Sequence, residues 1–195
     1  SLSGGKSKNV SATEKDGFHR DNVSMRLGFD DGKKGVDFLA SHSSQTVHFD
    51  NSAEHERKFD DNTRTRETRY KLSGYFGNAE DLFVHKAAVS QVKTDADTAQ
   101  YSSWTSAVGK TEYDSKKLNT NYQLDINFDR EGEVKQAISV LADYQNTKYV
   151  ASAYNFAEKK LTEKSVAAEY RLFTQADHSL SVSGRYTDNS LFENA

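Results

Sequence analysis

Residues 117–149 read KLNTNYQLDINFDREGEVKQAISVLADYQNTKY, and this stretch decides the fold class. In its first half apolar and polar side chains alternate, as where Asp125 lies between Leu124 and Ile126. Successive side chains of a strand project to opposite faces, so the pattern predicts a ribbon with one apolar and one polar face. A charged, glycine-containing turn is followed by a second alternating segment around Val140. The stretch therefore predicts a hairpin whose strands reach the roughly 9–11 residues that a tilted membrane-spanning strand needs.

The composition is compatible with a membrane barrel as well as with a soluble protein. The chain has 195 residues, of which 35% are hydrophobic and 28% are charged, enough for one domain with a core. A wide transmembrane barrel is polar on average, because only one strand residue in two faces lipid. The 11 Phe and 10 Tyr residues, together with the alternating segments, argue against disorder.

Several classes of protein are disfavoured by simple counts. The sequence has no apolar run of about 18 residues, so no transmembrane helix is expected, and we expect no signal peptide in its first residues. It has no cysteine, which excludes disulfides and thiolate metal sites. A net charge of -3 gives no general attraction to nucleic acid, and no nucleic-acid partner is expected.

One organisation is repeated along the chain. Alternating segments are joined by short turns near Gly32, Asn78, Gly132 and Ala176. Between them lie long polar segments at 43–67, 93–116 and 148–164, which we expect to be loops because they hold few apolar residues. All short connections would then lie at one end of the sheet and all long ones at the other. This is the layout of an outer-membrane barrel.

Aromatic residues mark the short-turn end. Phe29, Phe76 and Phe128 each precede a short turn, and Phe173 lies at the fourth. Aromatic side chains at a constant height form a girdle where lipid meets water, so the pattern predicts such a girdle at this end.

The alternation also assigns side chains to the two faces of the expected barrel. Those expected to face lipid are Leu118, Tyr122, Leu124, Ile126, Phe128, Ile138, Val140, Ala142 and Tyr144. The charged residues expected to face the lumen are Arg26, Arg69, Lys71, Glu169, Arg171 and Arg185. For these charges two interpretations stay open, namely a docking surface or translocation path and ordinary solvation of a lumen.

Four segments resemble TonB-dependent outer-membrane transporters, in the branch of cobalamin, haem and catecholate-siderophore receptors. They are NVSMRLGFDD after Asp16-Gly17-Phe18, TRYKLSGYFGNAEDLFVHKAAVSQVKTD, KLNTNYQLDINF with QAISVLADYQ, and HSLSVSGRYTDNSLFENA. The strongest motif is RYTDNS at 185–190, where the family commonly has a basic residue, an aspartate and an asparagine. The resemblance covers residues 16–195 as successive hairpins in the family's order.

The resemblance implies an all-β fold, an antiparallel up-and-down transmembrane β-barrel of about 22 strands. Residues 1–195 would supply about nine or ten strands, while the plug domain and the remaining strands lie outside this sequence. An open sheet in lipid would leave backbone groups unpaired at both edges, so the barrel must be completed by the same chain or by another.

The implied function is uptake of a scarce metal chelate, such as an iron-siderophore or haem, or of cobalamin. The implied location is the bacterial outer membrane, with outer-membrane lipid and the TonB energy-coupling complex as partners, the latter acting through the plug. No cofactor is required, although some members use calcium to order their outer loops.

A histidine-rich segment is the candidate for ligand capture. Its candidate residues are His42, His48 and His55 with Asp50, Asp60 and Asp61. Imidazole suits zinc or haem iron and carboxylates suit calcium, and the resemblance implies that outer loops capture the ligand. The spacing fits no compact metal motif, so a solvated polar loop stays open as the alternative.

Two other classes of protein stay open. One is a small complete outer-membrane barrel or a soluble β-sandwich adhesin, although a sandwich would use loops of similar length at both ends. The other is an outer-membrane hydrolase with catalytic side chains at the barrel rim. No nucleophile elbow and no glycine-rich phosphate loop occurs in the sequence, so no catalytic residue is assigned.

Overall fold

Nine antiparallel strands follow one another across one sheet in the computed structural model of the chain, each paired with its neighbours in sequence. The structure describes residues 1–10, 17–49, 61–102, 105–129, 133–151, 155, 157–174 and 178–190. The strands are β1 (Leu2–Val10), β2 (Gly17–Asp30), β3 (Lys34–Phe49), β4 (Asp61–Phe76), β5 (Phe83–Ser102), β6 (Ala107–Asp129), β7 (Val134–Ala151), β8 (Lys159–Thr174) and β9 (Ser179–Asn189). The all-β, antiparallel, up-and-down prediction is confirmed.

The strand topology decides one of the alternatives that the sequence left open. A sandwich needs a second packed sheet, whereas all nine strands of the described residues belong to one sheet, so the sandwich alternative is wrong. None of the described segments is a helix with the length and apolar character needed to cross a membrane.

The predicted central hairpin is β6 with β7. Leu124 pairs with Val140 and Tyr122 with Ala142, as alternation on both strands requires. The register then shifts, because Ile126 pairs with Ile138 while Asp129 pairs with Gln136. One extra residue on β6 makes a bulge, which interrupts the alternation before the turn.

The connections divide between two ends of the sheet. At one end, which we call the turn end, lie the strand ends Asp30, Phe76, Asp129 and Thr174, and at the other, the loop end, lie Val10, Phe49, Ser102 and Ala151. Gly32 has a φ of 84° and Gly77 a φ of 98°, a backbone region that suits glycine. The Gly77 N–H donates to the Lys33 carbonyl at 2.7 Å, which joins the first two turns.

The polar segments expected to be loops are largely strands, so that expectation is wrong. β3 continues to Phe49 and β4 begins at Asp61, within 43–67. Within 93–116, β5 pairs with β6 as far as Ser102 and Ala107, and within 148–164, β7 pairs with β8 as far as Tyr149 and Lys159. Pairing between strands is made by backbone N–H and C=O groups and does not need apolar side chains. The strands therefore continue beyond the alternating segments into segments whose side chains are polar on both faces.

Candidate functional site

The register sorts the side chains onto two faces. Residues directly opposite each other in neighbouring strands share a face, and we name the face that holds Leu124 the apolar face and the one that holds Gln123 the polar face. The apolar face includes Leu118, Tyr122, Leu124, Ile126, Ile138, Val140, Ala142 and Tyr144. The polar face includes Arg26, Arg69, Lys71, Glu169, Arg171 and Arg185. Phe128 falls inside the bulge, so the register does not place it with the other residues predicted to face lipid.

Burial is inverted relative to a water-soluble protein. On the apolar face Leu27 is 59% exposed and Val182 is 60% exposed. On the polar face Asp125 is 6% exposed and Ser165 is 4% exposed. Soluble monomers bury such apolar side chains and rarely leave a large contiguous apolar patch uncovered. The molecule therefore presents its apolar surface outward and gathers its polar groups on the other side.

The exposed apolar side chains form a continuous band, which we call the apolar belt. It consists of the apolar-face positions of residues 23–29 (β2), 36–40 (β3), 70–76 (β4), 83–89 (β5), 118–126 (β6), 138–144 (β7), 166–172 (β8) and 180–186 (β9). At roughly 3.3 Å per residue, the β6 section is about 30 Å long. That length is close to what a tilted strand needs to cross the hydrocarbon layer of a bilayer.

The belt crosses the sheet diagonally. Phe29, Val36, Gly74, Ala87, Tyr122, Ala142, Val166 and Tyr186 form one register row across β2–β9. Phe29 is the turn-end residue of the belt in β2, whereas Tyr186 is the loop-end residue of the belt in β9. In β9 the turn-end residue of the belt is Leu180, which lies six residues, or about 20 Å, from Tyr186 in the row of Phe29. The turn-end border of the belt therefore shifts by about 20 Å between β2 and β9, which are seven strand spacings of about 4.8 Å apart. The shift corresponds to a slope of about 30°, near the tilt of about 35–45° that strands adopt in barrels.

Aromatic residues border the belt at both ends. Phe29 and Phe76 lie at the turn end, and Tyr70, Tyr144 and Tyr186 lie at the loop end.

The prediction that Phe173 completes the turn-end girdle is wrong. Phe173 pairs with Ser179, while its neighbour Leu172 pairs with Leu180 on the apolar face. Phe173 therefore lies on the polar side of the sheet.

The polar face contains a buried hydrogen-bond network around Asp125. Its carboxylate accepts from Ser139 Oγ at 2.5 Å, from Lys86 Nζ at 2.9 Å and from Gln123 Nε2 at 2.8 Å. Arg171 donates to Ser139 Oγ at 2.7 Å and lies 3.8 Å from Asp125. Three donors and a second cation satisfy this carboxylate, as a buried charge requires.

A second network lies beside the first. Arg185 donates to Ser165 Oγ at 2.7 Å and to Asp143 at 3.4 Å. Glu169 accepts from Ser181 Oγ at 2.6 Å. Both networks tie neighbouring strands together through side chains of the polar face.

At the turn end of this face, Arg26 donates to Asp37 at 2.6 Å. The Tyr75 hydroxyl donates to Asp30, and its ring lies against Gly35, where an added Cβ would meet the ring at 2.4 Å. Such a ring covers a glycine that has no side chain of its own to pack.

A broad polar trough of about 880 Å³ opens in the middle of this face. Its walls include Arg69, Lys71, Lys117, Asp143 and Glu163. Arg69 is paired with Glu67 at 3.1 Å. A surface with donors and charges of both signs can hydrogen-bond a polar protein surface or a hydrated solute.

The residues of the histidine-rich segment do not form one loop cluster. His42 and His48 lie in β3 on the apolar face, six residues and about 20 Å apart, and His42 Nδ1 contacts Thr68 Oγ1 at 2.9 Å. Asp61 begins β4 on the opposite face, is 1% exposed, and accepts from the Tyr101 N–H at 2.7 Å. The reason is that β3 and β4 pair far into the polar segment.

His55, Asp50 and Asp60 lie outside the described residues. Within the part of the chain that the structure describes, no group of three or more His, Asp or Glu side chains converges to hold a metal ion.

Sequence reasoning missed the role of Asp125. The alternation places Asp125 opposite Leu124, but it does not say that Lys86 and Ser139 lie on adjacent strands beside it. Only the lateral register brings these three residues together. The available signal for this network was that Asp125 is the one carboxylate among the polar positions of the alternating segment 118–128.

Comparison with solved structures gives two receptors of similar fold. The ferric preacinetobactin receptor BauA of Acinetobacter baumannii superposes with a TM-score of 0.71 at 14% identity, over 100% of this chain and 38% of the receptor. A mutant of the ferric enterobactin receptor PfeA of Pseudomonas aeruginosa superposes with a TM-score of 0.76 at 11% identity, over 92% of this chain and 30% of the receptor. The chain shares its fold with part of these two receptors.

The chain thus spans about a third of each receptor, and the match establishes architecture alone. Comparison of the sequence with descriptions of known protein families and with curated proteins finds no match.

Proposed function

We propose that this chain forms part of the wall of a bacterial outer-membrane receptor that takes up a ferric chelate. The supporting observation is the diagonal apolar belt with aromatic borders. A band that slopes by about 30° relative to the register becomes level when strands tilt as they do in a membrane barrel. The nine apolar positions predicted to face lipid, Phe128 among them, then contact outer-membrane lipid.

The proposed barrel is larger than this sheet. β1 and β9 are the two edges of the sheet, and open edges within lipid would cost several kcal/mol per unpaired group. The complete barrel has about 22 strands, and the strands that this sheet does not supply come from the same polypeptide or from another. A plug domain docks on the polar face through residues such as Arg69 and Arg171, and TonB acts on that plug.

The proposed ligand class is supported by the two receptors of shared fold, a ferric preacinetobactin receptor and a ferric enterobactin receptor. We therefore favour an iron-siderophore over haem and cobalamin. The chain supplies a wall and binding segments, so no enzymatic step is assigned to it.

Uptake by cells tests this function. Iron-limited cells that express the full-length protein should accumulate ⁵⁵Fe from at least one ferric siderophore, and the accumulation should disappear in a strain without TonB. The same strains should be given haem and cobalamin. Accumulation that is equal with and without the protein for every chelate would contradict the proposal, as would full activity without TonB.

Ligand capture by the histidine-rich segment stays a prediction, and the structure divides its test into two variants. His42→Ala with His48→Ala changes the apolar face of β3, whereas Asp50→Asn, His55→Ala and Asp60→Asn change the connection 50–60. If the connection captures the chelate, the second variant should weaken ligand affinity and the first should not. Calcium in these segments stays a prediction as well, and affinity measured with and without a chelator of calcium tests it.

A further inference from the structure

Three consecutive cross-strand pairs of the β5–β6 hairpin place like charges directly opposite each other. From the apolar belt outward, these pairs are Lys93 with Lys116, Asp95 with Asp114, and Asp97 with Glu112. All six residues lie on the side of the sheet that carries the apolar face, and Asp95 lies six residues, or about 20 Å, beyond the last belt residue of β5, Val89. Like charges on directly opposed strand positions destabilise a sheet. The side chains therefore weaken this part of the hairpin unless something compensates their charges.

Neighbouring cations compensate two of the carboxylates. Lys93 Nζ lies 3.0 Å from Asp95 Oδ1, and Arg66 of β4 donates to Asp97 Oδ2 at 2.9 Å. Among the residues that the structure describes, Asp114 takes part in no such ion pair. Its partner is instead the carboxyl group of Asp95 on the opposite strand.

Asp95 and Asp114 share a hydrogen bond, which two carboxyl groups can form only when one of them holds a proton. This bond raises the pKa of Asp114, and burial adds to the rise. The same bond lowers the pKa of Asp95, and Lys93 adds to the lowering. Two groups coupled in this way titrate as a pair, so the shared proton leaves at a higher pH than an isolated aspartate would release it. Asp114 is exposed, so the solvent can supply and accept this proton.

The other charged groups around the pair come from four strands. They are Arg64 and Arg66 of β4, Lys93 and Asp97 of β5, Glu112 and Lys116 of β6, and Lys148 of β7. Lys148 is paired with Glu158 at 3.3 Å. Lys93 lowers the pKa of Asp114 and Asp97 raises it, but the hydrogen bond to Asp95 has a larger effect than either charge. The bond between the two carboxyl groups therefore dominates their titration.

We propose that Asp95 and Asp114 form a proton-operated clasp in the outer part of the β5–β6 hairpin. With one shared proton the pair joins the two strands. When that proton passes to the solvent, the two carboxylates repel each other and the strands beyond them loosen. The inference rests on the proposed membrane placement, which puts the loop end in the external medium, so that the hairpin responds to the pH of that medium.

The direction of the pH response follows from the two shifts. Because the pKa of Asp114 is raised in the folded state, its contribution to stability is complete in acid and is lost as the pH rises through its folded-state pKa. Because the pKa of Asp95 is lowered, its contribution is lost only as the pH falls through its own folded-state pKa. The hairpin is therefore firmest between the two values, where the pair holds one proton, and loosens toward neutral and alkaline pH.

Hydrogen exchange followed by mass spectrometry tests the clasp on the full-length protein, in detergent micelles and in lipid nanodiscs. Exchange is measured from about pH 4 to about pH 8 and corrected for the pH dependence of the intrinsic rate. The reporter peptides cover residues 94–102 of β5 and 107–115 of β6, and the belt peptide 138–144 of β7 serves as the internal control.

Two variants separate the clasp from a general effect of charge. In Asp114→Asn the side-chain amide can donate to Asp95 without a titrating proton. The matched control Asp97→Asn removes a carboxylate of the same strand face, two residues from Asp95, that accepts from Arg66.

Protection of the reporter peptides in the wild type should fall about threefold between acid and alkaline pH, the size of effect expected for like charges on opposed strand positions. Asp114→Asn should keep the acid-state protection at every pH. Asp97→Asn should show a fall of similar size to the wild type. Protection of the belt peptide should not change with pH in any of the three proteins.

Wild-type protection that does not change with pH, or a fall that persists in Asp114→Asn, would overturn the proposal, as would loss of the pH response in Asp97→Asn. Insertion into bilayers is followed separately by heat-modifiable gel mobility. If the protein inserts while protection is independent of pH, the clasp is wrong and the membrane placement stands. If the protein does not insert, the proposed function is wrong, and the exchange measured in micelles still decides whether the clasp exists.

Discussion

Phe29 and Tyr186 occupy the same register row of the sheet, although they lie at opposite ends of the apolar belt. Phe29 adjoins the turn 31–33, and Tyr186 lies on the loop-end side of β9. No arrangement with strands perpendicular to a lipid layer could place both at its two boundaries. With tilted strands the same row runs from one boundary through the middle to the other, which is the geometry of a barrel wall in a bilayer.

The two faces should tolerate charge very differently. Leu124→Arg places a charge in the middle of the belt and should lower the free energy of unfolding by about 2–4 kcal/mol. Asn121→Arg lies on the polar face opposite Asp143 and should cost little. Urea titrations of both variants, refolded into lipid vesicles, measure the difference. Equal costs would contradict the assignment of faces.

The network around Asp125 should contribute to stability. Asp125→Ala leaves Ser139, Lys86 and Gln123 without their acceptor and should cost about 1–3 kcal/mol, because Ser139 is buried. Asp97→Ala removes a carboxylate that is 49% exposed and accepts from Arg66 at 2.9 Å, and it should cost under about 1 kcal/mol. Denaturant midpoints of the two variants provide the comparison. A larger loss for Asp97→Ala would show that burial does not set the cost.

Two turn glycines should respond differently to the same substitution. Gly32→Ala introduces a left-handed alanine with nothing within 4 Å of its Cβ and should cost about 1 kcal/mol. Gly77→Ala adds a Cβ 2.4 Å from the Phe83 carbonyl oxygen, so the backbone must move and the cost should be at least about 2 kcal/mol. The free energy of unfolding of each variant, measured against that of the wild type, tests whether Gly77→Ala costs more than Gly32→Ala. Identical values would mean that the contact with Phe83 relaxes without cost.

The first turn should lose stability in acid. The Lys34 N–H, followed by the Lys33 N–H, donates to Asp31 and lowers its pKa. Because the pKa is lower in the folded state, the carboxylate stabilises the turn fully at any pH above its unfolded-state pKa of about 3.9. This stabilisation is lost as the pH falls through the folded-state pKa. The stability difference between wild type and Asp31→Asn should therefore shrink from neutral pH to about pH 2. A difference that stays constant over this range would contradict the assigned hydrogen bonds.

Alternation within single strands was sufficient to predict the fold class and the hairpin around Gly132. It sorted Leu124 and Gln123 to opposite faces because a strand has a period of two regardless of its neighbours. It failed where both faces are polar, as in β5 beyond Lys93, because pairing there depends on backbone groups that the side-chain pattern does not reveal.

Contacts between residues of neighbouring strands also could not be predicted from the alternation within single strands. The Asp125 network arises from register, which brings Ser139 to Asp125 across 14 positions of the sequence and Lys86 to Asp125 across 39. The bulge that removes Phe128 from the alternation depends on how β6 meets β7 rather than on either strand alone.

The most direct test of the central claim is the membrane depth of three positions in one register row. The sequence has no cysteine, so Phe29→Cys, Tyr122→Cys and Tyr186→Cys can each carry a single nitroxide without background labelling. In lipid vesicles, collision rates with oxygen and with a water-soluble nickel chelate should place the label at Tyr122 deep and the labels at Phe29 and Tyr186 shallow, near opposite surfaces. Equal depth for all three, or free access of the nickel chelate to the label at Tyr122, would contradict a tilted barrel wall.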